Sequence, residues 1–419
     1  MKQCVLAAVA AVCASAVQAA PQVSGVSMSQ DSATRKVTIE YVLSDEDAVI
    51  TVDIQTNAVP DAAEGWTSIG AENLNGFVGD VNCKLAPSTE KRTILWNPDT
   101  YWPNQKLPAK ATRAVVTAWA TNAPPDWLVC ELTAPYAVRY YEHACQVPDG
   151  VTAKKYKRTH LLFRKIHAKG VEWTMGAGSS VAKEKPHKVT LTEDYYMGVY
   201  QLTKEQSGLT SIYPAGAVDG STPLNNLRFT DMRGSTKGSQ WPSFTDDGSL
   251  DFWKSHEVDS GSIIASFRNK CKMLVDLPTE AQWEYAARAG ETRLTFGDGT
   301  DTVNNIKNYG RFAGDKGKAD CEGYAGNFAS VGSYLPNDFG LYDVIGNVTE
   351  ECLDWYASFE NIDTEKIHVD PVGSASGTSR LTKGGSYYYE TGGSLAGRVA
   401  QEPGSTWAVI GFRLSIPLH

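Results

Sequence analysis

One stretch near the C-terminal end constrains this chain most: Asn337-Asp338-Phe339-Gly340-Leu341-Tyr342-Asp343-Val344-Ile345-Gly346-Asn347-Val348-Thr349-Glu350-Glu351. It reads as a loop punctuated by glycines at 340 and 346, which permit backbone angles that other residues resist. Carboxylates stand at both ends, with apolar residues between them. Asp343, Asn347 and Glu350 supply hard oxygen atoms. Backbone carbonyls between them could complete a calcium shell of about six to eight ligands. A plain acidic loop has the same spacing, so these residues alone leave both readings open.

A chain of 419 residues accommodates two or three domains, each with a sizeable core. Its 11 Trp and 19 Tyr favour aromatic-rich, carbohydrate-like surfaces over a lean helical bundle. A net charge of −9 leaves no basic stripe to neutralise phosphates, which argues against nucleic acid as a partner. Residues 1–19 read as a secretory signal, with Lys2 as the positive start, an apolar run over 5–12 and Val17-Gln18-Ala19 as the cleavage site. That run is too short to cross a bilayer. The expectation is a secreted, periplasmic or cell-surface protein without a transmembrane segment. Export permits disulfides. Cys83, Cys130, Cys145, Cys271, Cys321 and Cys352 remain once the signal is removed, and local closure favours Cys130–Cys145. Several buried free thiols are the alternative. No C-x-x-C occurs, which argues against a zinc ribbon or a thioredoxin-type site.

Residues 20–125 read as an all-β, immunoglobulin-like sandwich that serves presentation or spacing. Val37, Ile39 and Tyr41 alternate on one face, and 48–54 and 113–121 repeat the β-rich composition. Thr93-Ile94-Leu95-Trp96 is a short strand stopped by the turn chemistry of Asn97-Pro98-Asp99. Ala123-Pro124-Pro125-Asp126 marks a boundary, and 126–158 reads as a connecting segment whose basic run at 154–158 is solvated. The second domain then fills 159–419. Strands are expected near 161–163, 171–175 and 187–191. Ile263, Ile264 and Phe267 share a helical face, and Thr279 with Gln282 forms a capping box opening a helix that stops at Gly290.

Seven blocks in this second domain carry a resemblance. They are Met175-Gly176, Tyr200-Gln201-Leu202-Thr203-Lys204-Glu205-Gln206, Pro223-Leu224-Asn225-Asn226-Leu227, Leu277-Pro278-Thr279-Glu280-Ala281-Gln282-Trp283-Glu284-Tyr285-Ala286-Ala287-Arg288, Gly340-Leu341-Tyr342-Asp343-Val344-Ile345-Gly346-Asn347, Lys383-Gly384-Gly385-Ser386-Tyr387 and Gly411-Phe412-Arg413. In this order they resemble the formylglycine-generating enzyme (sulfatase-modifying factor) family, over about residues 160–416. The resemblance implies an irregular α+β domain related to C-type lectins. It also implies two structural calcium sites. One falls on Asp343, the carbonyls of Gly346 and Val348, and Glu350. The other falls on Asn308, the carbonyl of Tyr309, Glu322 and the carbonyl of Tyr324, with Asp320 competing for the role of Glu322.

Catalysis is where the chain departs from that family. The resemblance implies copper held by two cysteine thiolates shortly after the Gly-Gly-Ser block, and soft sulfur suits Cu(I). Tyr389 and Ser394 stand at the matching positions. Neither side chain can replace that pair, so no copper and no formylglycine-generating activity are expected. A histidine-rich iron-binding domain, needed by the related sulfoxide synthases, is also missing from the β-rich N-terminal part. The block Tyr387-Tyr388-Tyr389-Glu390-Thr391-Gly392-Gly393-Ser394 has instead the composition of an adaptable recognition loop, rich in Tyr, Gly and Ser. Inward-packed tyrosines would share that composition. Tyr387, Tyr388, Tyr389, Glu390, Ser394, Arg398 and Trp407 are the candidate ligand contacts. Three functions follow: a calcium-stabilised binding protein for an extracellular glycan or protein, an oxidase-like enzyme of altered metal chemistry, or a structural surface protein.

Overall fold

Val37, Ile39, Tyr41 and Leu43 are all fully buried along the strand Val37–Ser44, as their alternation requires. The strand lies between Gln22–Gln30 and Arg92–Trp96, both antiparallel to it. A second sheet centres on Ala48–Thr56, paired residue for residue with Thr112–Ala120. The strand Arg92–Trp96 stops at Asn97, and Pro98 opens a one-turn helix, Pro98–Tyr101. These strands form one of two units in the computed structural model, made of the chain up to Thr67 together with Gly76–Ala120. Ser68–Asn75 and Thr121–His419 form the other. The structure describes residues 20–176, 184–209, 220–290, 308–312, 328–388 and 394–419, so the expected signal at 1–19 lies outside the described residues.

The second unit is sheet-rich with few helices. Its five-stranded antiparallel sheet runs Val138–Tyr141, Trp127–Glu131, His160–Ile166, Tyr195–Gly198 and Ser415–Pro417. Residues 126–158 are therefore more than a connection, because they supply two of those strands. Strands of four and five residues are too short to show a period between turns. The basic run is also corrected. Lys154–Lys157 is a 3-10 turn that buries Tyr156 completely, with the phenol donating to Pro148 O at 2.7 Å.

Ser262 caps the helix Ile263–Cys271, which buries Ile264 and Phe267. Cys271 at its end is disulfide-bonded to Cys130 in the central sheet, with Cα atoms 5.8 Å apart. The expected local pairing with Cys145 does not form. Cys130 points into the core beneath the helix, whereas Cys145 is exposed. The Thr279–Gln282 capping box is present, and its helix, Glu280–Arg288, ends just before Ala289 and Gly290. A four-stranded sheet, Val399–Gln401, Arg380–Lys383, Thr349–Trp355 and Ile410–Gly411, carries the C-terminal loops. Among the described residues no helix is long and apolar enough to cross a membrane.

Candidate functional site

The stretch from Asn337 to Val348 forms turns that lead into the buried strand Thr349–Trp355. Asn337 anchors its start. The side-chain amide donates to Ala286 O and Ala287 O at the end of the Glu280–Arg288 helix, and Oδ1 accepts the N–H of Leu341. Leu341, Val344 and Ile345 fill the core against Trp283. Gly346 has φ +77°, and a β-carbon there would sit 2.5 Å from Arg311 O, so only glycine fits.

Polar atoms converge inside this loop. Gln201 Nε2 lies 3.0 Å from Asp343 O, 3.0 Å from Val348 O and 2.9 Å from Glu350 Oε1. An amide nitrogen has two hydrogens for these three oxygens. Glu350 also receives Arg413 twice and the Trp283 indole N–H, all at 2.7 Å. Four hydrogen bonds fill about all the acceptor sites a carboxylate has. Glu350, expected as a calcium ligand, is thus committed to Arg413, Trp283 and Gln201. Asp343 is different. Its Oδ2 accepts Gly332 N–H at 2.6 Å, its Oδ1 has no partner, and burial pushes the carboxyl up to about 6. Gln201 Oε1 is buried without a partner too. Unpartnered oxygens on Asp343 and Gln201, beside the carbonyls of Asp343 and Val348, form a donor set that fits a hard cation. At the other expected calcium position, Asn308 O accepts Leu335 N–H, and Tyr309 packs on the core. Glu322 and Tyr324, with Asp320, lie outside the described residues.

The same loop seats the candidate recognition surface. Asn347 O accepts Tyr387 N–H at 3.0 Å, and Thr349 N–H donates to Val409 O at 2.8 Å. Two positions of one segment thereby hold the tyrosine block and the turn that carries Trp407. Tyr388 is 69% exposed and Trp407 55% exposed. Tyr387 is half-buried, edge-on to Phe328 at 4.6 Å, and Lys204 Nζ lies 5.3 Å from that phenylalanine ring. Ser394 is half-buried. Tyr389 and Glu390 lie outside the described residues. Arg398 does not belong to the surface. It is buried, paired to Glu280 by two hydrogen bonds of 2.6 and 2.8 Å, and stacked 3.7 Å from the Phe359 centroid.

Sequence reasoning assigned no role to a second buried ion cluster, centred on Glu284. Lys383 Nζ donates to Glu284 Oε2 at 2.8 Å, while Arg288 and Gly176 N–H bind Glu284 Oε1. Burial works against ionising Glu284, but Lys383 and Arg288 outweigh it and hold the carboxyl below its ordinary value. The pair fixes Lys383, and Gly384 follows at φ +86°, where a β-carbon would meet Val344 O at 2.8 Å. The signal was present in the Glu284 and Lys383 blocks; only their separation by 99 positions hid the contact.

The second unit is a sheet-rich domain with few helices, and buried ion pairs tie its long loops to that framework. Residues 155–417 match the sulfatase-modifying factor enzyme 1-like domain, and the chain belongs to that family. It is 37% identical over 148 residues to the formylglycine-generating enzyme of Thermomonospora curvata, covering 33% of this chain and 48% of that enzyme. It is 39% identical over 154 residues to the Streptomyces coelicolor enzyme of the same name, covering 33% and 45%. The chain thus spans less than half the length of either enzyme. Among solved structures, Treponema denticola variable protein 1 aligns with a TM-score of 0.45 and 24% identity, covering 62% of this chain and 96% of that one.

Proposed function

We propose that this chain is an exported, non-catalytic binding protein, which recognises an extracellular glycan or protein through the surface of Tyr387, Tyr388, Ser394 and Trp407. The observation that carries this reading is the pair of exposed aromatics, Tyr388 and Trp407, on loops tied to Asn347 and Thr349 of one buried segment. Large exposed rings on a pre-ordered support bind with little entropy cost. The family's thiolate positions hold Tyr389 and Ser394, and neither oxygen suits Cu(I). Cys352 offers no substitute, since burial raises its thiol well above the usual range and keeps it protonated. Calcium held by Asp343, Gln201 and the neighbouring carbonyls would supply charge neutralisation and cross-link the loop. The N-terminal unit, read as an immunoglobulin-like sandwich, would act as a spacer.

The test is a glycan array together with binding measurements on Tyr388→Ala and Trp407→Ala. Each variant is expected to weaken saturable binding by at least 30-fold, a loss of about 2 kcal/mol typical of central aromatics, without lowering the melting temperature. Conversion of a sulfatase-derived cysteine peptide to the aldehyde in the presence of Cu(I) would overturn the proposal.

A further inference from the structure

A cavity of about 370 Å³ opens within the second unit beside the one-turn helix Phe252–Ser255, walled by residues of 191–194 and 369–372. Its volume falls in the range of small-molecule sites. It shares no residue with the recognition surface above.

One imidazole stands in its wall with a fixed orientation. His256 Nδ1 lies 2.7 Å from Oδ2 of Asp276, a side chain with no exposed surface. Asp276 also accepts two hydrogen bonds from Arg233 and one from Arg268. Burial opposes its ionisation, but Arg233 and His256 outweigh that and hold the carboxyl well below the usual range. A carboxylate only accepts, so Nδ1 carries the hydrogen, and in the neutral ring Nε2 is a bare acceptor. Nδ1 is turned into the core towards Asp276, so the ring meets the cavity through its other edge, which holds Nε2. Among the described residues the His256 side chain makes no other hydrogen bond.

The surroundings of that acceptor are flat and apolar. Trp241 and Phe252 flank the imidazole, with ring centroids 5.0 and 4.7 Å from it. His419 stacks on Phe252 at 4.2 Å, so the phenylalanine wall is held from both sides. Leu250, Val372 and Leu418 also line the space.

Charge narrows the ligand further. Glu193, Asp194 and Asp370 line the cavity, and among the described residues no lysine or arginine does, so an anion is disfavoured. Each of these carboxylates is already engaged: Glu193 by Lys169, Asp194 by the amides of Ala168 and Lys169, and Asp370 by the amide and hydroxyl of Thr192. The oriented acceptor left over is His256 Nε2, which takes one hydrogen. A phenol brings one strong O–H donor on a flat apolar ring, and aromatic faces pack well on one another.

We propose that this cavity binds a small uncharged phenol, whose hydroxyl donates to His256 Nε2 and whose ring lies against Phe252 and Leu250. 4-Methylphenol, 4-methylanisole, 4-methylbenzoate and 4-methylbenzylamine, titrated calorimetrically into the full chain, keep one ring and change only the polar group. Saturable binding is expected for the phenol. The anisole, which has lost the donor hydrogen, and the acid and amine are each expected to bind at least 10-fold more weakly. His256→Phe should weaken phenol binding at least 10-fold. Nitrogen-15 resonances of the parent imidazole keep the test valid if that variant fails to fold: the phenol should shift His256 Nε2 and leave Nδ1 in place. No phenol binding, any of the other three compounds binding within 10-fold of it, unchanged binding in a folded variant, or an unmoved Nε2 resonance would each overturn the proposal.

Discussion

Arg413 and Glu350 meet through two hydrogen bonds of 2.7 Å, with both side chains only 1% exposed. A bidentate pair of this kind is geometrically specific, but its two charges have lost their water. Arg413 also donates to Gly198 O and Tyr342 O, so one guanidinium joins the central sheet to the Asp343 loop.

Arg413→Met should therefore cost about 3–5 kcal/mol, because it leaves a buried carboxylate without its cation. Adding Glu350→Leu should recover part of that loss, since the uncompensated charge is then gone. Recovery stays partial because Gln201 and Trp283 lose an acceptor. Urea unfolding of the two variants checks both outcomes, and a single variant as stable as the parent would refute the assignment.

Glu351 is fully buried with Oε1 unpartnered, and burial pushes its carboxyl up to about 8. The folded state therefore keeps a proton that the unfolded state gives up near 4.5. Folded protein binds more protons across this window, so the group's contribution is complete below about 4.5 and is lost as pH rises towards 8. Glu351→Gln, which cannot ionise, should flatten that decline. Denaturant midpoints of the two proteins at pH 5 and pH 8 test the sign: the variant should gain on the parent from pH 5 to pH 8, and a parent that gains on the variant over that range would refute the assignment.

The Cys130–Cys271 disulfide closes a separation of 141 residues. Chain-entropy reasoning gives close to 5 kcal/mol for a loop this long, and measured values run nearer 2–4 kcal/mol. Cys130→Ser combined with Cys271→Ser should lower stability by an amount in that range. Cys145→Ser should do nothing, because that thiol is exposed and unpaired. Reduction-sensitive melting in the Cys145 variant but not in the double variant would complete the assignment.

Local order was legible from local chemistry. Alternation at Val37, Ile39 and Tyr41 and the capping box at Thr279 both act within a few residues, and both appear where they were expected. The ordered blocks identified the family because each holds a distant partner. What could not be read was which partner. Glu350 and Arg413 are 63 positions apart, and nothing along the chain says that this arginine reaches that carboxylate. Arg398 misled for the same reason. Its place after the recognition loop suggested an exposed contact, while Glu280, 118 positions away, draws it inside. The cysteines show the limit of local closure, since burial at Cys130 selects Cys271 over the nearer Cys145.

Calcium removal tests the oxygen cluster directly. Asp343 Oδ1 and Gln201 Oε1 are buried without donors, and an unmet polar atom of this kind costs about 1–3 kcal/mol. A cation between them would relieve that cost and hold Asp343 ionised despite its burial. At calcium a hundredfold above its dissociation constant the folded state gains about 2.7 kcal/mol. For a domain of this size that corresponds to roughly 5–10 °C in melting temperature. Chelation should remove the gain in the parent, and Asp343→Ala should melt at one temperature with or without calcium. Metal analysis of the purified protein should find calcium. An unchanged melting temperature after complete calcium removal would instead mean that the Gln201 amide alone holds the loop closed, in place of the ion.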